Sequence, residues 1–228
     1  MDSEKIFKLA PSGIDYALKC RRCLWLSYKG IKLDAFFPPI FNAFDLIQKK
    51  FLLTKSVKLM SKTLPDGHIM TEHTGFIGSS ILKDNKGRLF VISGKTDVIV
   101  EFNTKPKKYG IIDLKTTNIN PSKIENYKFQ LESYATIFEN PNSKTPKFSN
   151  VEEIGLYLFE PKEITNISNS SCNMKFETLY LKGNRCHEDL INRITNIIDV
   201  YTMEQAPDYN PACASCKFVL SLVERKYI

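Results

Sequence analysis

The sequence predicts an α/β (α+β) domain in which a central mixed sheet is flanked by helices. Strand-length runs around Asp97 and Asp113 are apolar almost throughout, which is typical of strands covered on both faces. Stretches with helical spacing of apolar residues occur before, between and after these runs. Their ranges are 40–58, 122–139 and 184–205. This order of elements favours a sheet enclosed between helices.

The chain has 228 residues, which is the size of a single domain. We expect a helical part at 1–60, a core at 70–205 and a cysteine-bearing segment at 206–228. Apolar residues make up 43% of the chain, which excludes an intrinsically disordered protein. The N-terminus has no apolar signal region, and no apolar run approaches the length of a membrane span. A cytoplasmic protein that does not contact a membrane is therefore expected.

The first helices are predicted from local start signals. Pro11 and Ser12 begin a helix that ends near Cys20, with Ser12 as its N-cap and Asp15 three residues further on. A second, short helix is expected from Cys20 to Tyr28. The N-terminal part of the chain is thus expected to be helical as far as the first loop.

The strands are predicted from apolar runs bounded by turn residues. Five are expected, at residues 74–82, 88–102, 109–115, 151–160 and 174–181. The first three are separated by turn signals and a lysine-rich loop, which favours antiparallel hairpins. The helix between the third and fourth strands is expected to begin with a capping box formed by Ser122 and Glu125.

Asp97, Asp113 and Lys115 form the most informative group, because charged side chains in apolar strands are costly to bury without a compensating partner. Asp113 and Lys115 are two residues apart on one strand, so they share a face. Two carboxylates suit Mg²⁺ or Mn²⁺, and water activated by such a metal attacks phosphodiesters. A nearby ammonium group can orient or help deprotonate this water. For an isolated Asp-x-Lys, a surface ion pair without function is the alternative.

Three ordered motifs give the sequence a resemblance to a known family. The motifs are Gly94-x-x-Asp97, Asp113-Leu114-Lys115 and Gln130-x-x-x-Tyr134. Together they resemble the PD-(D/E)XK nuclease superfamily and, within it, the RecB-like branch. The similarity extends to Ser12-x-Ile14, Cys20-x-Arg22 and Cys213-x-x-Cys216. It therefore spans most of the chain.

The resemblance implies a restriction-endonuclease-like core and a metal-dependent DNA nuclease. Asp97, Asp113 and the Leu114 carbonyl would be metal ligands, and Lys115 would be the catalytic lysine. Gln130 and Tyr134 would lie beside the site and contact DNA or orient the active centre, with core packing as the alternative for the tyrosine. The expected enzyme is a Mg²⁺- or Mn²⁺-dependent hydrolase that uses one or two metals. We expect an exonuclease that acts on ends or single strands.

One departure from the branch concerns an early helix that usually carries a histidine ligand. The corresponding helix here is 40–53, which has no histidine, and Asp45 and Gln48 are the residues expected near that place. Two alternatives follow from this departure. One is a catalytically weak nucleic-acid-binding module. The other is an accessory subunit of a DNA repair, recombination or CRISPR adaptation complex, in which activity requires a protein partner.

Two Cys-x-x-Cys pairs can form one tetrahedral thiolate site that joins the two ends of the chain. The pairs are Cys20 with Cys23 and Cys213 with Cys216. Thiolates suit either Zn²⁺ or an iron–sulfur cluster. AddB-type nucleases and CRISPR spacer-acquisition exonucleases carry one such cysteine before the core and three after it, so the resemblance implies a 4Fe–4S cluster. Here Cys23 would supply the fourth ligand, and zinc is the alternative.

The net charge of +7 and the pI of about 9.0 favour a polyanionic partner such as nucleic acid. The basic residues expected to follow the phosphates are Arg21, Arg22, Lys49, Lys50 and Lys105 to Lys108. For the lysines of the 40–58 helix, an ordinary solvated face is the alternative. His68 and His73 are interpreted as surface histidines, and Cys172 and Cys186 as free thiols in or near the core.

Overall fold

The structure is a computed structural model that describes residues 5–31, 38–53, 55–70 and 75–225. In chain order its elements are β1 (Phe7–Leu9), α1 (Pro11–Ala17), α2 (Arg21–Tyr28), α3 (Pro39–Leu52), β2 (Gly67–Ile69), β3 (Phe76–Gly78), β4 (Leu82–Lys83), β5 (Leu89–Lys95), β6 (Val98–Phe102), β7 (Lys108–Thr116), α4 (Lys128–Glu139), β8 (Val151–Thr165), β9 (Asn173–Gly183), α5 (His187–Tyr201) and α6 (Ala214–Glu224). Short 3-10 helices cover Val57–Leu59 and Pro121–Asn126. The predictions for His73 and residue 74 lie outside the described residues.

The predicted mixed sheet is confirmed, and the strands are divided between two sheets. The larger has the order β2-β6-β7-β8-β9, with β7 and β8 parallel and the other neighbours antiparallel. In the smaller, β5 lies between β1 and β3 and also pairs with β4. The central strand β7 carries the Asp113-Leu114-Lys115 motif, so this motif lies inside the sheet and not at its edge.

The prediction of a single strand at 88–102 is wrong, because the chain changes from one sheet to the other within this range. β5 pairs with β1, β3 and β4, whereas β6 pairs with β2 and β7. Thr96 and Asp97 lie between the two strands. Asp97 therefore lies where the chain passes from the smaller sheet to the larger one, and from there its carboxylate reaches β7.

The strands of the larger sheet are covered on both faces, as their apolar sequences predict. Ile99 and Ile111 belong to a core that includes residues of α4 and α5, whereas Val100 and Ile112 belong to a second core with Leu52 of α3. Alternate residues of a strand point to opposite faces. Odd-numbered residues of β7 therefore face α4, and this face includes position 113.

The predicted helix starts are wrong at two places. Ala10 is the N-cap of α1, where Pro11 occupies the first turn and Ser12 makes no cap. Asn120 caps the 3-10 helix before α4, and Ser122 donates its N–H to this cap instead of forming a capping box. In both places proline fixes the start of the helical turn, and the residue before it takes the cap position.

Several elements differ in length from the prediction. The helix expected at 40–58 ends at Leu52, and the one expected at 184–205 is α5, with bounds His187–Tyr201. The hairpin of β8 and β9 is longer than expected at both strands, because their pairing continues as far as Thr165 and Asn173. The strands β1 and β2 and the helix α6 were not predicted. None of the helices in the described ranges has the length and apolar character of a membrane-spanning segment.

Candidate active site

The C-terminal end of β7 opens into a cavity of about 500 Å³ between α1, α3 and α4. All the residues predicted for the metal-dependent site line this cavity. They are Asp97, Asp113, Leu114, Lys115, Gln130 and Tyr134. Ser12, Tyr16, Asp45, Gln48 and Lys49 also line it. The structure thus gathers the three motifs of the sequence in one place.

Asp97 connects the crossing between the sheets to β7. Its Oδ2 accepts a hydrogen bond from Leu114 N at 2.8 Å. Its Oδ1 lies 2.7 Å from Lys49 Nζ. A backbone N–H therefore holds Oδ2 of Asp97 in place, and the ammonium of Lys49 forms an ion pair with Oδ1.

Asp113 lies at the floor of the cavity and is 2% exposed. Its Oδ1 accepts a hydrogen bond from Gln130 Nε2 at 2.8 Å. Its Oδ2 has no hydrogen bond of acceptable geometry among the described residues, and the ammonium of Lys115 lies 2.5 Å away. The ion pair with Lys115 compensates the charge of this buried oxygen. This oxygen therefore fits a cation ligand, and the oxygen donors around it fit Mg²⁺ or Mn²⁺.

Burial determines the pKa values of Asp113 and Lys115 together with their mutual charge interaction. Desolvation raises the pKa of Asp113 to about 7; the charge of Lys115 opposes this rise and that of Asp97 adds to it. For Lys115, burial alone lowers the pKa, but Asp113 and Asp97 outweigh it and raise the pKa above its usual range. In this arrangement Lys115 is an ammonium ion at neutral pH.

Gln130 and Tyr134 lie on the inner face of α4, one turn apart. Gln130 Nε2 lies 3.4 Å from the Tyr134 hydroxyl and 2.8 Å from Asp113 Oδ1. Both residues are buried. Burial, together with the neighbouring negative charge of Asp113, raises the pKa of Tyr134, so its hydroxyl is neutral. The pair is placed to orient Asp113.

The early helix α3 lies beside the site and brings Asp45 and Gln48 to the cavity, as expected. Gln48 Nε2 donates a hydrogen bond to Thr116 Oγ1 at 2.8 Å. Lys49 forms a bridge, with its Nζ 2.8 Å from Asp45 Oδ2 and 2.7 Å from Asp97 Oδ1. The sequence suggested only a phosphate-facing or solvated role for Lys49. Its i,i+4 spacing from Asp45 is the local signal that could have indicated an ion pair.

Three of the other basic residues expected to follow the phosphates do not line the cavity. Lys108 is five residues before Asp113 on β7, which is about 16 Å along a strand. Lys107 and Lys108 form ion pairs with Glu101 and Glu152. Of the arginines, Arg22 donates to the Pro207 carbonyl at 2.8 Å. Lys107, Lys108 and Arg22 therefore have partners within the protein, and none of the three lines the cavity.

The predicted cysteine cluster is present. The sulfur atoms of Cys20, Cys23, Cys213 and Cys216 all lie within 4.8 Å of one another. Cys172 and Cys186 lie outside this group as free thiols. Cys172 is exposed, so its expected place in or near the core is wrong, whereas Cys186 is partly buried. The segments that carry Cys20 and Cys216 are thus brought together at one site, as the sequence predicts.

Each Cys-x-x-Cys pair begins a helix. Cys20 is the N-cap of α2 and Cys213 is the N-cap of α6. At α6, backbone hydrogen bonding from Cys216 lowers the pKa of Cys213 to about 7. Burial raises the pKa of Cys20 and of Cys23. Helix N-termini favour thiolates, which are the form that binds metal.

The mixed α/β fold and the acidic cavity at its central strand define a nuclease-type domain. The family model for the PD-(D/E)XK nuclease superfamily matches residues 42–219, and the chain belongs to this superfamily. Among solved structures, the crystal structure of SSO0001 is similar, with a TM-score of 0.50 at 13% identity over 96% of this chain and 86% of that chain. This likeness shows a common fold alone. No curated protein matches the chain.

Proposed function

We propose that this chain is a Mg²⁺- or Mn²⁺-dependent deoxyribonuclease of the RecB-like branch, an exonuclease that acts on ends or single strands. The observation that carries the proposal is the buried Asp113 Oδ2, which lacks a hydrogen bond among the described residues and lies beside Lys115. Asp97, Asp113 and the Leu114 carbonyl would hold the divalent cation. The superfamily uses such metals and acts on nucleic acid, which supports this assignment.

The residues of the cavity divide the chemistry among them. A bound divalent cation would lower the pKa of a water molecule and stabilise negative charge on the phosphoryl group. Lys115 as an ammonium ion would orient the attacking water and neutralise a phosphoryl oxygen. Gln130 would hold Asp113 in place, because its amide donates to Oδ1. The reaction is hydrolysis of a phosphodiester bond, with water as the nucleophile.

The depth of the site favours a single strand or an end as substrate. Asp113 is 2% exposed at the floor of a cavity of about 500 Å³. One strand can bring a phosphate to this depth more readily than an intact duplex can. The net charge of +7 attracts any such polyanion.

The test uses labelled linear and circular single-stranded DNA with Mn²⁺, and linear duplex as a third substrate. An exonuclease degrades the linear single strand and leaves the circle intact. Cleavage of the circle would overturn the exonuclease assignment and show that the protein is an endonuclease. No cleavage of any substrate, with either metal, would overturn the enzyme assignment.

A second candidate is a nucleic-acid-binding module or accessory subunit of a repair or CRISPR adaptation complex. The ion pair between Lys49 and Asp97 favours it, because a lysine occupies a carboxylate that the nuclease would use for metal. Salt-dependent DNA binding without cleavage would support the module. Cleavage that begins only when a co-purified protein is added would support the subunit.

Two occupants are proposed for the cysteine cluster. Three of the six Sγ–Sγ distances are 3.5 Å, 3.6 Å and 3.9 Å, and all six are within 4.8 Å, which is close to the edge of about 3.8 Å expected for four thiolates around one Zn²⁺. The resemblance to cysteine-bearing members of the branch favours a 4Fe–4S cluster, which would require the thiolates to move apart. An absorption spectrum of anaerobically purified protein distinguishes the two occupants, because only the iron–sulfur cluster gives a broad band at about 400 nm.

We expect metal binding at the active site to strengthen as the pH rises. The folded-state pKa of Asp113 is raised to about 7, so the folded protein without metal holds this proton until the pH passes about 7. Its contribution to stability is complete below the unfolded-state pKa and is lost as the pH rises through about 7. A metal must displace the proton, so Mn²⁺ affinity should rise about tenfold from pH 6 to pH 8. Calorimetric titration at both values checks this.

The control for the pH series is Asp113→Asn, which cannot ionise. This variant should show little Mn²⁺ binding at either pH. Equal Mn²⁺ affinity of the wild-type protein at pH 6 and pH 8 would contradict the assigned role of Asp113.

A further inference from the structure

Asp15 is a buried carboxylate of α1 that accepts hydrogen bonds from the first turn of α4. Its Oδ1 lies 3.1 Å from Phe129 N and its Oδ2 lies 2.8 Å from Gln130 N. The first N–H groups of a helix have no partner within the helix, and Tyr127, the N-cap of α4, supplies no side-chain bond. Asp15 therefore caps α4 from a position 114 residues earlier in the chain.

Gln130 lies between two carboxylates. Its backbone N–H donates to Asp15, and its side-chain Nε2 donates to Asp113 Oδ1 at 2.8 Å. Gln130 is 4% exposed, so water does not replace either partner readily. The negative charge of Asp15 is also favourable at the positive end of the helix dipole. A movement of this helical turn would therefore move the amide that holds Asp113.

The helix that carries Asp15 is itself held in place. Arg193 of α5 donates to the Ile14 carbonyl at 3.2 Å and to the Asp15 carbonyl at 2.9 Å. On the other side, α1 packs closely on β5, because a Cβ at Gly94 would lie 2.9 Å from Pro11 Cδ. Asp15 thus projects from a fixed support toward α4.

We propose that Asp15 is a positioning residue of the active site, which fixes the first turn of α4 so that Gln130 orients Asp113. Asp15 is not among the described residues that line the cavity, so it acts through Gln130 and not on the substrate. The catalytic consequence rests on the proposed nuclease function. Loss of the cap should lower kcat and leave the KM for DNA nearly unchanged.

The first test compares two substitutions of Asp15. Asp15→Ala should lower kcat about tenfold or more, since small displacements of reacting groups have large effects on rate, while KM changes less than about threefold. Asp15→Asn retains one of the two acceptor oxygens, so its kcat should lie between those of wild type and Asp15→Ala. Equal kcat for wild type and Asp15→Ala would overturn the proposal.

The matched control is Ile14→Val, because Ile14 is the neighbouring buried residue on α1. It should lower the unfolding midpoint without changing kcat at temperatures well below that midpoint. If Ile14→Val lowers kcat as much as Asp15→Ala does, the effect is a general loosening of α1 and the proposal fails.

A double-mutant cycle with Gln130→Ala tests the route of the effect. Once Gln130 is alanine, Asp15→Ala should change kcat by less than about twofold, because the two residues act in series. Effects that multiply in the double variant would show separate routes and contradict the proposal.

The cap can also be tested without catalysis. If wild type does not cleave DNA, the proposed function fails, and the cap is then read from amide hydrogen exchange. Asp15→Ala should speed exchange of the Phe129 and Gln130 backbone N–H groups about tenfold or more, because Asp15 accepts from both. Unchanged exchange of these two N–H groups in Asp15→Ala would contradict the link between Asp15 and Gln130, whatever the chain does to DNA.

Discussion

Replacing Asp113 by asparagine is expected to reduce Mn²⁺-supported DNA cleavage at least about 1,000-fold. Asparagine keeps an acceptor for the Gln130 amide, which donates to Oδ1 in the structure. It removes the charge at Oδ2, the buried oxygen without a hydrogen bond among the described residues. Mn²⁺ binding should be lost together with cleavage, and calorimetric titration beside a gel assay measures both.

Glu101→Gln is the matched control for this substitution. Glu101 is a carboxylate on the neighbouring strand β6, and it forms an ion pair with Lys107 beyond the end of the strand. Its neutralisation should leave both metal binding and cleavage within about twofold of wild type. Retained cleavage in Asp113→Asn would contradict the assignment of the site. A similar loss in Glu101→Gln would show that the assay reports general charge and not a ligand.

Replacing Cys20 by serine is expected to remove the metal from the cysteine cluster and to lower the unfolding midpoint by about 10 °C or more. Cys20 is buried, and its sulfur lies 3.5 Å from that of Cys216 at the other end of the chain. Metal binding by such a site contributes directly to folding. A loss of about 4 kcal/mol would give this shift for a domain of this size. Metal analysis and thermal unfolding measure the two effects.

Cys172→Ser is the control, because Cys172 is exposed and lies outside the cluster. Its metal content and unfolding midpoint should equal those of wild type. A Cys20→Ser protein that keeps its metal and unfolds at the wild-type midpoint would contradict the structural role of the cluster.

The parts of the site that the sequence predicted have local signals. Asp113 and Lys115 are two residues apart on an apolar strand, which fixes a common face. The Cys-x-x-Cys spacing likewise indicates a thiolate site without reference to the fold. Both groups are where the sequence places them. Their catalytic and ligand roles stay predictions.

The parts that the sequence did not predict depend on contacts between distant segments. From the sequence, Asp15 is only an acidic residue near the start of its own helix. Its hydrogen bonds to α4 connect residues that are 114 and 115 positions apart. The change of sheets at Thr96 and Asp97 has Gly94 shortly before it, but a single glycine in a strand-length run does not specify a change of sheet. The strands β1 and β2 have three residues each, which is too short for a period-two pattern. Such features are decided by tertiary packing.

The most direct measurement is the initial rate at which wild type and Lys115→Ala degrade linear single-stranded DNA in Mn²⁺. Lys115 is the cation beside the buried oxygen of Asp113, and its removal leaves the carboxylates in place. We expect wild type to degrade the strand, and we expect the variant to bind Mn²⁺ still but to be at least about 100-fold slower. Equal rates for the two proteins would contradict the central claim that this cavity hydrolyses DNA.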